Sequence, residues 1–246
     1  MFMDASSEMI YSVLPLFMVT VLGASMVTVG VIEGVAEATA AIIKVFSGTL
    51  SDYLEKRKVL LVAGYWLIVA VGAAFALARF SEAFLVMRAE SVGLALGYVP
   101  VIMVAMNALY AGASYPAGIA ADQFRPATIL LLGLALLVAA DLVLALARSA
   151  PAVLAGAVLW GLHMAFTQGL LSKIVADSVP VTLRGTGFGI FNLVSGISVL
   201  LASVIAGALW NTLGPIATFL AGAGFAAIAA VGVVVLGKTA FRPAAA

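Results

Sequence analysis

The residues of this sequence best placed to do chemistry are ionisable side chains inside long apolar runs. Glu33 and Glu37 stand four apart with Lys44 seven further on, so all three share one helix face with Gly48. A charge in the hydrocarbon costs about 3 kcal/mol or more unless it is paired or wetted, so each such group is a candidate site. Two carboxylates on one face perturb each other's protonation and a lysine compensates one of them, which suits a proton or substrate pathway. The plainer alternative puts Glu33 at the outer membrane surface and pairs Glu37 with a neighbouring helix. Asp4 and Glu8 repeat the spacing, with Tyr11 and Pro15 continuing that side; Glu8 either faces the interior or is solvated. Glu82 and Arg88 either face a central cavity, Arg88 as ligand to an anionic group, or lie at a helix's outer end.

His163 is the sole histidine, near Trp160 and Gln168, and reads as a proton relay or as a hydrogen-bonded packing residue. Asn107, Tyr110, Gln168 and Asn192 suit either a cavity wall or interhelical bonding. Asp141, followed by Arg148, reads as interfacial. Lys173 and Asp177, four apart before Pro180, read as a helix-end ion pair.

The elements that carry these groups follow from composition. The chain has 246 residues, 65% hydrophobic and only 9% charged, with a mean hydropathy of +1.23. Soluble domains hold about half apolar and about a quarter charged residues. Apolar runs fall at 9–30, 31–50, 59–78, 94–117, 127–147, 151–176, 187–209 and 215–237. Each is long enough to cross a bilayer, and without period-2 alternation they must be helices. The expectation is an all-α polytopic bundle of about eight spans. The polar stretch 79–93 is read as an extension of the third helix, about 46 Å long from 59 to 89 at 1.5 Å per residue. A re-entrant segment is the competing reading.

Eight spans put both termini on one side. That side holds Lys56, Arg57, Lys58, Arg125, Arg184, Lys238 and Arg242, against Arg79, Arg88 and Arg148 on the other, which predicts cytoplasmic termini. The acidic start lacks the marks of a cleaved leader, so the first run is expected to remain as a span. A net charge of +1 with scattered basic residues argues against nucleic acid as partner. With no cysteine, one histidine and no His-Glu-x-x-His pattern, neither a metal site nor an intramembrane enzyme is expected. No phosphate-cradling loop is present, so no cofactor or nucleotide is expected either.

One device occurs twice. Gly48 precedes Asp52 by four residues at the end of the second run, and Gly118 precedes Asp122 likewise at the end of the fourth. Glycine permits close helix approach, and an aspartate beside basic residues can pin two helices.

These residues resemble the major facilitator superfamily. Gly48, Leu50, Ser51, Asp52, Lys56, Arg57 and Lys58 are similar to its signature between the second and third helices, Gly-x-Leu-(small)-Asp-Arg-x-Gly-Arg-(Arg/Lys), although Tyr53 and Glu55 replace its Arg and Gly. Gly118, Asp122 and Arg125 resemble the weaker copy between the eighth and ninth. Asp4 to Pro15 resembles the first helix of bacterial permeases, and 183–189, with Arg184, the turn into the eleventh. Only 70 residues separate the two signatures, where six helices would need more than about 150. The resemblance implies a shortened form: residues 1–64 as helices one, two and the start of three, fused near Gly64 to 65–238 as helices seven to twelve, with 239–246 a cytoplasmic tail.

The resemblance implies a secondary transporter of the bacterial cytoplasmic membrane, moving a small solute by alternating access, with protons as a candidate coupling ion. Asp52 with Arg57, and Asp122 with Arg125, would close its cytoplasmic side. The fourth and fifth helices, where the family carries its coupling arginine and antiporter signature, have no counterpart here. The alternatives are a transport-inactive remnant and a bundle whose cavity is completed by a homodimer.

Overall fold

In the computed structural model, residues 14–53 and 63–240 are described, with side chains described for 14–42 and 69–235. Glu8, Lys56 and Arg57 lie outside the described residues, as do the side chains of Lys44, Gly48 and Asp52. Helix follows helix: α1 (14–20), α2 (Met26–Tyr53), α3 (Ala63–Ala78), α4 (Ala83–Ser91), α5 (Val99–Gln123), α6 (Pro126–Leu146), α7 (Ala150–Ser178), α8 (Arg184–Leu213) and α9 (Pro215–Ala240). No strand occurs among the described residues. Six helical stretches there are long and apolar enough to cross a membrane, the α3–α4 stretch Val69–Ser91 being one. The chain is an all-α, polytopic helical membrane protein.

Local chemistry sets the helix ends. Pro lies in the first turn of α5, α6 and α7, where its missing N–H costs no hydrogen bond. Gly214, at φ +84°, closes α8 immediately before Pro215 opens α9. The first two helices part at Gly23 (φ +64°), not near residue 30 as expected from hydropathy alone. Ser25 then starts α2 as an N-cap, its Oγ accepting the Thr28 N–H at 3.2 Å. The shifted boundary carries Glu33 two turns into α2, where it is 8% exposed; the outer-surface placement is therefore corrected.

The expected single long third helix is also corrected. α3 stops at Ala78, residues 79–82 are irregular, and α4 begins at Ala83. α4 is fixed by Arg88, 7% exposed, which donates to the carbonyls of Leu144 (2.9 Å), Ala145 (3.2 Å) and Ala147 (2.6 Å) at the C-terminus of α6. The Leu144 carbonyl also accepts the Ala147 N–H at 3.4 Å. Carbonyls of a helix's last turn lack the usual donors four residues on, and a cation there also opposes the negative end of the helix dipole.

The most extensive interface joins α2 to α8. It is built on glycines: a Cβ on Gly207 would lie 2.9 Å from the Val27 Cα, and Gly30 and Gly196 face Ser203 and Ala41 as closely. Small residues let backbones approach where lipid supplies no hydrophobic drive for helix association. The Met26 N–H donates to Asn211 Oδ1 at 3.2 Å and sets the register at one end. α6 packs between α7 and α9, α5 lies on α7, and α3 on α8 and α9. Gly118 does not serve close approach, since a Cβ there meets open space.

Gly207→Leu should therefore force α2 off α8 and cost about 3 kcal/mol by overpacking, read as a lower melting temperature in detergent. Gly118→Leu should leave the melting temperature within about a degree of wild type. Equal effects of the two would contradict this packing.

Candidate functional site

The break between α3 and α4 lies inside the apolar stretch Val69–Ser91, where lipid offers open backbone groups no partner. Two hydroxyl groups take up its N–H groups. The Ser81 N–H donates to Ser203 Oγ of α8 at 3.1 Å, and the Ala83 N–H donates to Ser81 Oγ at 3.2 Å. The Ser81 hydroxyl in turn donates to Glu33 Oε2 of α2 at 3.4 Å. Glu33 is thus tied to the break rather than to the membrane surface.

Two adjoining cavities meet there. The larger, about 340 Å³, is lined by Glu37, Arg79, His163, Gln168, Asn192 and Ser195 among others. The smaller, about 260 Å³, is lined by Glu33, Glu37, Arg79, Ser81 and Glu82 beside Phe80. Glu37 and Arg79 line both. Thus α2, the broken third span, α7 and α8 bring together three carboxylates, one guanidinium, one imidazole and several amide and hydroxyl groups. A solute carrying opposite charges would find partners for each, and protons would find carboxylates within the bilayer.

His163 is hydrogen-bonded between helices, as its packing reading expects, and also faces a cavity. Its Nδ1 lies 2.8 Å from the Gly133 carbonyl, which can only accept, so Nδ1 carries hydrogen and the ring is fixed against α6. The same residue lines the larger cavity. Gln168 Oε1 accepts from Tyr110 Oη at 3.1 Å, joining α5 to α7, while the residue also lines that cavity.

Other expectations are redistributed. Arg88, proposed as a ligand for an anionic group, is committed to the end of α6 and to Ser91. Asp122 pairs with Lys173 across α5 and α7, not with Arg125, and this removes Lys173 from the expected Asp177 pair. Both partners are exposed, 72% for Asp122 and 47% for Lys173, and they border a third cavity of about 320 Å³ beside Gly118. Arg184 donates to the Ala176 carbonyl at 3.1 Å in the last turn of α7. Asp141 is fully buried and not interfacial.

Arg79 was legible only as a loop charge. Its place in both cavities follows from the helix break, which a serine and charges on either side of Phe80 signal only weakly. Ser203 looked like any small residue of an apolar span.

The sequence model of the Major Facilitator Superfamily matches residues 89–245. The chain belongs to the major facilitator superfamily. It is 30% identical over 168 residues to an uncharacterized MFS-type transporter of Methanocaldococcus jannaschii, an alignment covering 66% of this chain. The chain spans 42% of the length of that relative. No solved structure matches it. The major facilitator chain is accordingly an integral membrane protein of a transporter family.

Ser203→Ala should leave the Ser81 N–H without a partner and cost about 1–3 kcal/mol in thermal unfolding. Ser198→Ala, which loses only a bond to the Val194 carbonyl of its own helix, should cost less than about 0.5 kcal/mol. A neutral Ser203→Ala would contradict the stitching of the break.

Proposed function

We propose that this major facilitator chain is a secondary transporter that moves a small solute by alternating access, with protons as the coupling ion. The single observation that carries the reading is the convergence of Glu33, Glu37, Arg79, Glu82 and His163 on cavities at a broken span. Discontinuous helices are where transporters hold solutes and ions, because unwound backbone and ionisable groups are tolerated at that depth only beside a wet cavity. In this reading Glu37 and Arg79, common to both cavities, hold the solute's charged groups, and Glu33 with Glu37 carries protons.

Opening and closing belong to the ends of the helices. Asp122 with Lys173 joins α5 to α7, and Arg184 joins α8 to α7, at the side that the charge count assigns to the cytoplasm. Breaking and remaking such exposed, solvent-screened contacts costs little, so both states stay accessible. The Asp52 and Arg57 signature would add a second latch on the same side. Both termini are cytoplasmic in this reading, in a bacterial cytoplasmic membrane. The domain proposal places the seam near Gly64 in the first turn of α3.

A homodimer is favoured by α5, which packs chiefly on α7 and leaves Val101, Val104 and Tyr115 exposed. A second copy there would enclose the side of the bundle that the shortened first half leaves open.

The test is reconstitution in liposomes with an internal pH dye and a panel of small charged solutes. The wild type should give a solute-dependent pH change, and Glu37→Gln should slow it by about tenfold or more, or 1.4 kcal/mol of barrier. Equal rates in the two proteins would sink the role of Glu37. Absence of any solute-dependent flux in the wild type would favour the inactive remnant.

A further inference from the structure

Asp141 of α6 is completely buried, 0% exposed, and neither carboxylate oxygen has a hydrogen-bond partner among the described residues. It meets α9 at bare Gly222, where an added Cβ would lie 2.7 Å from Asp141 Oδ2 and 2.8 Å from the Phe80 ring. Phe80 packs in turn against Phe84 (5.3 Å between ring centres), Trp160 (5.4 Å) and Phe219 (5.4 Å). The Trp160 indole N–H is likewise buried without a partner. Folded proteins leave few buried polar groups unpaired, and here two border one aromatic ring.

Among the described residues, the charged and titratable groups around Asp141 offer it no counter-ion. From α7, His163 is bound to Gly133, about two turns before Asp141 on α6, and Lys173 and Asp177 lie further along. The described side chains of α9 include no ionisable group. From α5, Asp122 is paired with Lys173, Tyr110 donates to Gln168, and Tyr115 is exposed. From α4, Arg88 spends its donors on Leu144, Ala145, Ala147 and Ser91. Arg79 and Glu82 line the cavities beyond Phe80. An ionised carboxylate with no hydrogen bond and no cation is among the costliest groups to bury.

We propose that Asp141 is a proton-binding site, a neutral carboxylic acid in this conformation, that exchanges its proton with the Glu33–Glu37–Glu82 cavity when Phe80 moves aside. Phe80 has the geometry of a gate, for it lines that cavity on one side and, on the other, shares with Asp141 the space that an added Cβ on Gly222 would fill. With the ring displaced, cavity water reaches the carboxyl group. The Asp141 O–H bond then breaks and its proton passes to that water and on to a cavity carboxylate. The carboxylate left behind accepts hydrogen bonds from the entering water, and return of the proton reverses each step. The site lies outside the residues assigned to the solute, and its test needs no solute.

The full chain in lipid vesicles is treated at neutral pH with dicyclohexylcarbodiimide, an apolar reagent that adds to neutral carboxylic acids, and adducts are mapped by peptide mass spectrometry. The expected result is an adduct on Asp141 that forms several-fold faster in Phe80→Ala. The infrared spectrum of the wild type should also show the high-frequency carbonyl stretch of an acid without hydrogen bonds. That band should vanish in Asp141→Asn, with the melting temperature kept, and persist in Glu33→Gln and Glu37→Gln. Absence from the wild type of both the adduct and the Asp141-dependent band would overturn the proton site. Equal labelling rates in wild type and Phe80→Ala would overturn the gate. The infrared comparison decides the central claim even if Phe80→Ala does not fold.

Discussion

A helix that stops inside a membrane must find new partners for the backbone groups it frees, because lipid offers none. That requirement organises the part of the bundle around residues 79–82. At residues 79–82 the third span is interrupted, and its amides are taken up by Ser203 of α8 and by Ser81 itself, whose hydroxyl reaches Glu33 of α2. The same interruption turns Arg79 and Glu82 toward Glu37 and so creates the polar cavities. Had the helix run on unbroken, each of these charges would have needed its own solvation within the bilayer.

The glycine interface between α2 and α8 follows from the same need. Glu33 and Ser203 can both reach Ser81 only if their helices lie nearly in contact, and Gly30, Gly196 and Gly207 remove the side chains that would hold them apart. On the far side of the break, Arg88 anchors α4 by capping α6, so the irregular segment is held from both ends. α6, fixed in this way, holds Asp141 beside Phe80 at Gly222, and packing thereby connects the buried acid to the cavity. Structural and chemical roles fall on neighbouring residues: Ser203 and Arg88 position the break, while Glu33, Glu37, Arg79 and His163 face the space it opens.

Much of this was legible from residues alone. Spans four to eight match α5–α9 within a few residues, because Pro and Gly mark their ends and hydropathy fills their interiors. The face shared by Glu33 and Glu37 was legible as well, since helical periodicity fixes it. The first boundary was not: Gly23 and Ser25 sit in continuous apolar sequence, and only a left-handed glycine and a capping hydroxyl mark the turn. The break at 79–82 was signalled only weakly, by the polar character of 79–93, for a related reason. Its cause is a hydroxyl on a helix more than a hundred residues away, and no local pattern encodes such a partner. Arg88 and Asp141 were misplaced because periodicity gives the face a residue occupies but not what faces it; one found carbonyls and the other found nothing.

The lack of cysteine in the natural sequence allows the central claim, a break in the third span that opens into water, to be measured without background. Single cysteines would be placed through 76–90 and reacted with a membrane-impermeant maleimide in vesicles opened to both sides. The structure predicts rapid labelling at Arg79 and Glu82, which line the cavities, and protection at Phe84, Leu85 and Met87, which are buried. Labelling at Arg79 and Glu82 as slow as at the buried Phe84, Leu85 and Met87 would contradict the account.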